Sequence, residues 1–161
     1  MKSILAIALL AAAALAPTAA RSANQMAAMQ YYVGSWTCVG GVVGKKSTTA
    51  NVRYWLDNGL MRQWVGISGQ GMMKAYELNA TTTWDPKNGR YVQAGLDTDA
   101  QWWISYGKVS GSSETWTEHA TASGKLGRDE VSRTSDSAFT FASFETIAAS
   151  KPYFRVVCKK Q

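Results

Sequence analysis

The chain has 161 residues, and its 17 Lys and Arg against 11 Asp and Glu give a formal net charge of +6. The basic residues are scattered, with basic pairs only at Lys45-Lys46 and Lys159-Lys160. A nucleic-acid-binding protein carries a denser basic stripe, so nucleic acid is not expected as a partner. Beyond an apolar N-terminal segment, the chain suits one domain with its own core.

The first 20 residues have the three-part layout of a secretory signal peptide. Lys2 gives a basic start, residues 4–16 form an almost unbroken apolar run, and small residues follow up to Ala20. We expect cleavage after Ala20, a chain beginning at Arg21, and an exported protein, periplasmic or secreted. The alternative is an apolar helix of the fold itself. The run is shorter than the roughly 20 residues of a membrane span, so none is predicted.

The segment after the signal contains two cysteines, Cys38 and Cys158, near opposite ends of the domain. In an oxidising compartment an even pair of cysteines usually forms a disulfide. The bridge would close a loop of about 120 residues and stabilise the fold by roughly 4–5 kcal/mol in the chain-entropy model. Two free, buried thiols are the alternative.

The pattern of residues 24–32 predicts one short helix, because this stretch has good helix formers, no Gly and no Pro, with Asn24 as its N-cap. Beyond Gly34, Val, Thr and aromatic residues dominate, and turn residues such as Asn58-Gly59 recur about every ten positions. We predict strands at 36–43, 48–56, 60–67, 74–84, 90–96, 101–106, 114–121, 128–134, 138–146 and 153–159.

Sequential strands joined by hairpins favour an all-β fold, an antiparallel up-and-down meander of 8–10 strands that closes into a barrel. Closure removes the two unpaired edges that an open sheet would leave. A β-sandwich is the structural alternative.

The tripeptide Gly34-Ser35-Trp36, placed between the helix and the first strand, resembles the G-x-W signature of the lipocalins and the wider calycin superfamily. The resemblance implies a calycin-like barrel over residues 24–161, whose Trp packs at a base that the helix plugs. It also implies a basic residue of the last strand crossing over Trp36, a role that Arg155 would fill. The start of the domain is similar to small exported bacterial members of unassigned function.

Strand alternation makes the expected disulfide incompatible with the expected stacking of Arg155 on Trp36 in a regular strand. If Trp36 and Cys38 both point inward, Cys158 lies on the face opposite Arg155. The disulfide and the stacking of Arg155 on Trp36 then cannot both hold without a bulge, and the disulfide is better founded.

No enzyme site is predicted. Residues 66–69 fail the spacing of a nucleophile elbow, and one histidine with two bridged cysteines cannot build a zinc site. The pairs Asp97/Asp99 and Asp129/Glu130 are interpreted as solvated caps of turns, so neither catalytic nor metal-binding residues are assigned. An enzyme that works with carboxylates remains a third hypothesis.

The leading hypothesis is a binding protein that holds a small apolar or amphipathic molecule in the barrel, as a monomer or weak dimer. The alternative is a structural or protein-interaction module with a filled interior. Some ten-stranded relatives carry haem through a histidine. For His119, the one histidine, the alternatives are a haem ligand, a polar anchor in the cavity or a surface residue. No cofactor is predicted. The predicted ligand-binding residues are Met61, Trp64, Met73, Trp103, Trp116 and His119.

Overall fold

The computed structural model describes residues 25–68 and 75–161, which form one short helix and ten strands. The helix starts with an α-helical turn at residues 25–27 and continues as a 3-10 helix, Ala28–Tyr32. The predicted N-cap and the expected signal peptide lie outside the described residues. The strands are β1 (Gly34–Val42), β2 (Thr48–Asp57), β3 (Leu60–Ile67), β4 (Tyr76–Asp85), β5 (Arg90–Asp97), β6 (Trp102–Ser110), β7 (Ser113–Thr121), β8 (Arg128–Ser135), β9 (Ala138–Phe144) and β10 (Phe154–Lys160).

Each strand pairs antiparallel with the next, and β10 pairs with β1, so the sheet closes into a ten-stranded up-and-down barrel. The predicted fold class is confirmed, and the sandwich alternative is wrong. The turn at Asn58-Gly59 uses the positive φ angles, 49° and 78°, that this dipeptide tolerates. In the part of the chain that the structure describes, no helix is long and apolar enough to cross a membrane.

Strand β6 begins one residue later and ends four residues later than predicted. The predicted strand ends at Tyr106, but Gly107 is a paired strand residue opposite Trp116. The turn comes later, at Gly111, whose φ is +58°. The glycine at 107 therefore serves close packing within the sheet and not a turn.

The tryptophans divide between the two faces of the barrel as adjacent aromatic pairs require. In the pair Tyr54-Trp55 the tyrosine faces the interior, and in Trp102-Trp103 the second ring does. Trp102 is 44% exposed on the outer surface. Facing inward are Trp36, Trp84, Trp103 and Trp116; facing outward are Trp55, Trp64 and Trp102.

The closing pair of strands carries the disulfide. Cys38 and Cys158 are directly opposite each other in the register of β1 and β10, and their sulfurs are bonded. The predicted bridge is confirmed, and both cysteines are buried in the barrel core.

One end of the barrel is closed by Trp36 and the helix. The Trp36 side chain is fully buried, and its indole nitrogen donates a hydrogen bond to the carbonyl oxygen of Tyr32 at 2.7 Å. Its ring packs against Phe139, with 4.9 Å between the ring centroids. The Tyr91 hydroxyl donates to the carbonyl oxygen of Gln25 at 2.8 Å, which fixes the first turn of the helix to the wall.

The basic residue over Trp36 is Lys160, and the expectation for Arg155 is wrong. The Lys160 ammonium lies 5.4 Å from the centroid of the Trp36 ring, and its stem passes over Gly34, where a Cβ would come within 3.0 Å of the Lys160 Cε. Arg155 is exposed near the other end of the barrel, opposite Gly41. Lys160 is in phase with Cys158, so the disulfide and the cation–π contact hold together without a bulge.

A buried carboxylate, Glu114, organises the same end. It accepts hydrogen bonds from the Tyr32 hydroxyl at 2.6 Å and from the Trp116 indole at 3.1 Å. It also forms an ion pair with Arg133, with 2.9 Å between the nitrogen and the oxygen. Burial and the neighbouring carboxylate raise the pKa of Tyr32, so this hydroxyl stays a donor. The network joins the helix to β7 and β8.

Substituting Glu114→Gln should destabilise the protein by about 2–3 kcal/mol, because the half-buried Arg133 guanidinium would lose its carboxylate partner. Urea unfolding monitored by circular dichroism measures the loss. The matched control is Asp57→Asn, which breaks the exposed Arg62–Asp57 pair at 3.6 Å and should cost less than about 1 kcal/mol. Equal losses in the two variants would contradict a special role for Glu114.

Removing the disulfide with Cys38→Ala/Cys158→Ala should lower the free energy of unfolding by about 5 kcal/mol in the chain-entropy model, since the bridge spans 120 residues. A reductant should lower the melting temperature of the native protein and leave that of the double variant unchanged. Two titratable thiols in unreduced, denatured protein from an oxidising compartment would contradict the bridge.

Candidate functional site

Above the closed end the barrel contains a cavity of about 610 Å³. Its lining reaches from Met29 and Tyr32 at the base to Tyr76 and Tyr153 at the opposite end. Apolar side chains from both halves of the barrel form most of the middle wall: Ala50, Val52, Val65, Leu78, Val131, Phe141 and Val156. An interior that is filled at one end and hollow above it is the geometry of a small-molecule pocket.

Two large rings line this cavity without filling it. Trp103 is paired with Gly95 across β5 and β6, and Trp116 is paired with Gly107 across β6 and β7. A Cβ added at either glycine would overlap the tryptophan ring that faces it. The absent side chains therefore let both indoles lie flat against the wall.

Polar side chains in the middle of the wall are paired with one another. The Gln63 amide donates to the Tyr54 hydroxyl at 3.2 Å, and the Gln93 amide donates to the Thr82 hydroxyl at 3.1 Å. Burial raises the pKa of Tyr54, which keeps its hydroxyl neutral. These pairs satisfy buried polar groups and leave the middle of the cavity suited to an apolar ligand.

The open end has a different chemistry. Here the cavity meets a second groove, of about 560 Å³, which lies against the β7–β8 and β9–β10 connections. The ladder of β7 and β8 pairs its last residues at Thr117 and Arg128. Beyond them the backbone N–H of Glu118 still donates to the carbonyl oxygen of Gly127, at 3.1 Å. Five residues border both spaces, and we refer to them as the mouth cluster: Gln101, Trp103, Glu118, Asp129 and Tyr153.

The mouth cluster contains two carboxylates close enough to affect each other. Burial raises the pKa of Asp129 to about 6, repulsion from Glu118 adds to the rise, and a hydrogen bond with Ser143 opposes it. Glu118 accepts a hydrogen bond from the backbone N–H of Gly127 at 2.5 Å. Burial, with the charges of Asp129 and Glu118, raises the pKa of Tyr153. The mouth is therefore a partly buried anionic region.

The structure brings together three of the six predicted ligand-binding residues. Met61, Trp103 and Trp116 line the cavity. Met73 lies outside the described residues.

For Trp64 and His119 the expectation of an inward side chain is wrong. The Trp64 ring lies outside the cavity against Gly66, on the face opposite to Met61 and the other inward residues of β3. His119 is exposed and stacks on the Tyr106 ring, with 4.7 Å between the ring centroids. His119 is the extra residue of a β-bulge, since Ser105 pairs with Glu118 and Ile104 with Ala120, and its imidazole lies outside the cavity.

The two acidic residues of the mouth, Glu118 and Asp129, are not among the predicted ligand-binding residues. The interpretation of Asp129/Glu130 as solvated turn residues is wrong for Asp129, because β8 begins at Arg128 and Asp129 already faces the cavity. Val131 is buried, and side chains two residues apart in a strand lie on the same face, so alternation along β8 predicts an inward Asp129.

Comparison with known proteins gives a structural likeness. No family model and no curated protein matches the sequence. The crystal structure of Rv2717c from M. tuberculosis is similar to this chain with a TM-score of 0.59 and 9% sequence identity, over 84% of this chain and 96% of that one. At this identity the likeness concerns the fold, an antiparallel barrel of the same kind.

Substituting Asp129→Asn should stabilise the protein at neutral pH and have a clearly smaller effect near pH 4.5. An acid whose pKa rises on folding binds more protons in the folded state between the two pKa values, so its contribution to stability falls as pH rises from about 4 to 6. The gain above that window should be on the order of 1–3 kcal/mol. Urea unfolding of both proteins at the two pH values measures it.

The control for this experiment is Glu77→Gln, an exposed carboxylate on β4 near the same end of the barrel. Its effect on stability should be small at both pH values. A gain from Asp129→Asn that is as large at pH 4.5 as at pH 7.5 would contradict the assignment of the raised pKa to Asp129.

Proposed function

We propose that this chain is an exported, calycin-like barrel that binds a small apolar or amphipathic molecule in its interior. The observation that carries the proposal is the cavity of about 610 Å³ with a largely apolar wall. Ligand pockets commonly measure roughly 300–1,000 Å³ and combine apolar walls with a few placed polar groups. The proposal assigns no catalytic step.

The calycin-like part of the proposal is supported by features of the closed end. Trp36 of the Gly34-Ser35-Trp36 tripeptide is buried at the base beneath the helix, and a cation from the last strand, Lys160, lies over its ring. Export is supported by the signal-peptide layout of the first 20 residues and by the disulfide, which persists in oxidising compartments.

A second candidate, a protein-interaction module, draws on the outer surface. Leu96 and Trp102 are neighbours across β5 and β6, and they are 55% and 44% exposed. Exposed apolar side chains that adjoin one another are typical of contact surfaces for a partner. This function predicts no dependence on the interior of the barrel.

Binding can be tested with a chemically broad panel of apolar and amphipathic ligands, with haem included. A ligand of the cavity should quench the emission of Trp103 and Trp116 in a saturable way and raise the melting temperature by mass action. Val65→Trp, which fills the middle of the cavity, should weaken binding by about tenfold or more. The matched control is Val39→Trp, which adds the same ring on the exposed face of β1.

Two outcomes would overturn the binding proposal. One is that no ligand of the panel shifts either signal at high micromolar concentration, in which case the interaction module is the better proposal. The other is that Val65→Trp and Val39→Trp weaken binding equally, because the ligand would then lie outside the barrel. Circular dichroism of both variants verifies that they fold.

A further inference from the structure

The charged side chains that line the cavity are all acidic among the residues that the structure describes. They are Asp97, Glu114, Glu118 and Asp129. Glu114 is neutralised at the base by Arg133, at 2.9 Å. The other three lie at the open end, so the cavity is apolar at its centre and anionic at its mouth.

The two carboxylates of the mouth cluster have no counter-ion among the described residues. Arg128, their basic neighbour on β8, is ion-paired with Glu130 at 3.0 Å and donates a hydrogen bond to the carbonyl oxygen of Ile147. Lys125 borders the outer groove only. The partners of Glu118 and Asp129 are neutral: the backbone N–H of Gly127 and the Ser143 side chain. Asp97 accepts more hydrogen bonds, from the Tyr76 hydroxyl at 3.0 Å and from two backbone N–H groups.

Aromatic rings stand beside the same carboxylates. Trp103 and Tyr153 border the cavity and the groove at the positions where Glu118 and Asp129 do. Indole and phenol faces attract cations, and they do so most strongly for quaternary ammonium groups. Carboxylates and aromatic faces together make a site for an organic cation.

We propose that the ligand is a cationic amphiphile, a single-chain amine or quaternary ammonium compound. Its chain occupies the apolar cavity, and its ammonium group lies at the mouth between Glu118 and Asp129, against Trp103 and Tyr153. This inference rests on the proposed binding function. It predicts discrimination by charge: an anionic amphiphile with the same chain meets two carboxylates and no base of the described cavity wall.

Three ligands with one decyl chain test the inference: decyltrimethylammonium, 1-decanol and decanoate, measured by isothermal titration calorimetry and tryptophan quenching. The pH is 7.5, above the pKa of about 6 of Asp129. Decyltrimethylammonium should bind about tenfold or more tightly than decanoate, and its affinity should fall with added salt. Decylamine, as a fourth ligand, separates the primary amine from the quaternary ammonium.

Variants assign the discrimination to the mouth. Glu118→Gln/Asp129→Asn should weaken binding of decyltrimethylammonium by about tenfold and leave that of decanol within about twofold. Glu77→Gln, an exposed acid of β4, is the control and should change neither affinity. If the double variant does not fold, Asp129→Asn, which removes a buried charge, carries the same comparison with a smaller effect.

The outcomes separate this inference from the function on which it rests. If decanoate binds as tightly as decyltrimethylammonium, the cationic ligand is wrong and the binding function stands. If the double variant weakens decanol as much as the cation, the carboxylates act through the fold and the inference is wrong. If none of the ligands binds, and the broader panel also fails, both proposals are overturned.

Discussion

Pairing of the last strand with the first determines the rest of this molecule. β10 lies beside β1 over seven register pairs, from Trp36 opposite Lys160 to Val42 opposite Phe154, and the disulfide is at the third pair. Closure gives the sheet a single interior, so every inward side chain must share one space. It also brings the ammonium of Lys160 over the Trp36 ring, 5.4 Å from its centroid. Strand pairing, bridge and cation–π contact thus fix the same register.

The interior divides into a filled half and a hollow half, and the division follows from where the large side chains can go. At the base, the helix adds Met29 and Tyr32 to the rings of Trp36 and Phe139, which excludes solvent. Farther up, no segment of the described chain enters the barrel. Trp103 lies flat on Gly95, and so its bulk contributes to the wall without closing the lumen.

The sequence was sufficient to predict the secondary-structure elements, because alternation and turn residues are local signals. It predicted ten strands closing into a barrel and the disulfide. It failed where the outcome depends on distant pairing. Choosing Lys160 over Arg155 requires the register of β1 against β10, and seeing Glu118 beside Asp129 requires knowing where the β7–β8 ladder ends. Trp64 was predicted to bind ligand because tryptophan offers a large contact area. Its even position in β3 places it on the outer face, opposite to Met61.

The two ends of the barrel treat buried acids differently, and the difference bears on function. Glu114 at the base has an arginine, a hydroxyl and an indole as partners, an arrangement that stabilises one packing of the helix. Asp129 at the mouth has a repelling carboxylate and a pKa raised to about 6, which costs stability at neutral pH. The acid with the raised pKa thus lies at the entrance to the apolar cavity, whereas the acid at the closed base has its full set of partners. A cation beside Asp129 would lower the cost of its charge, which is what the proposed ligand would do.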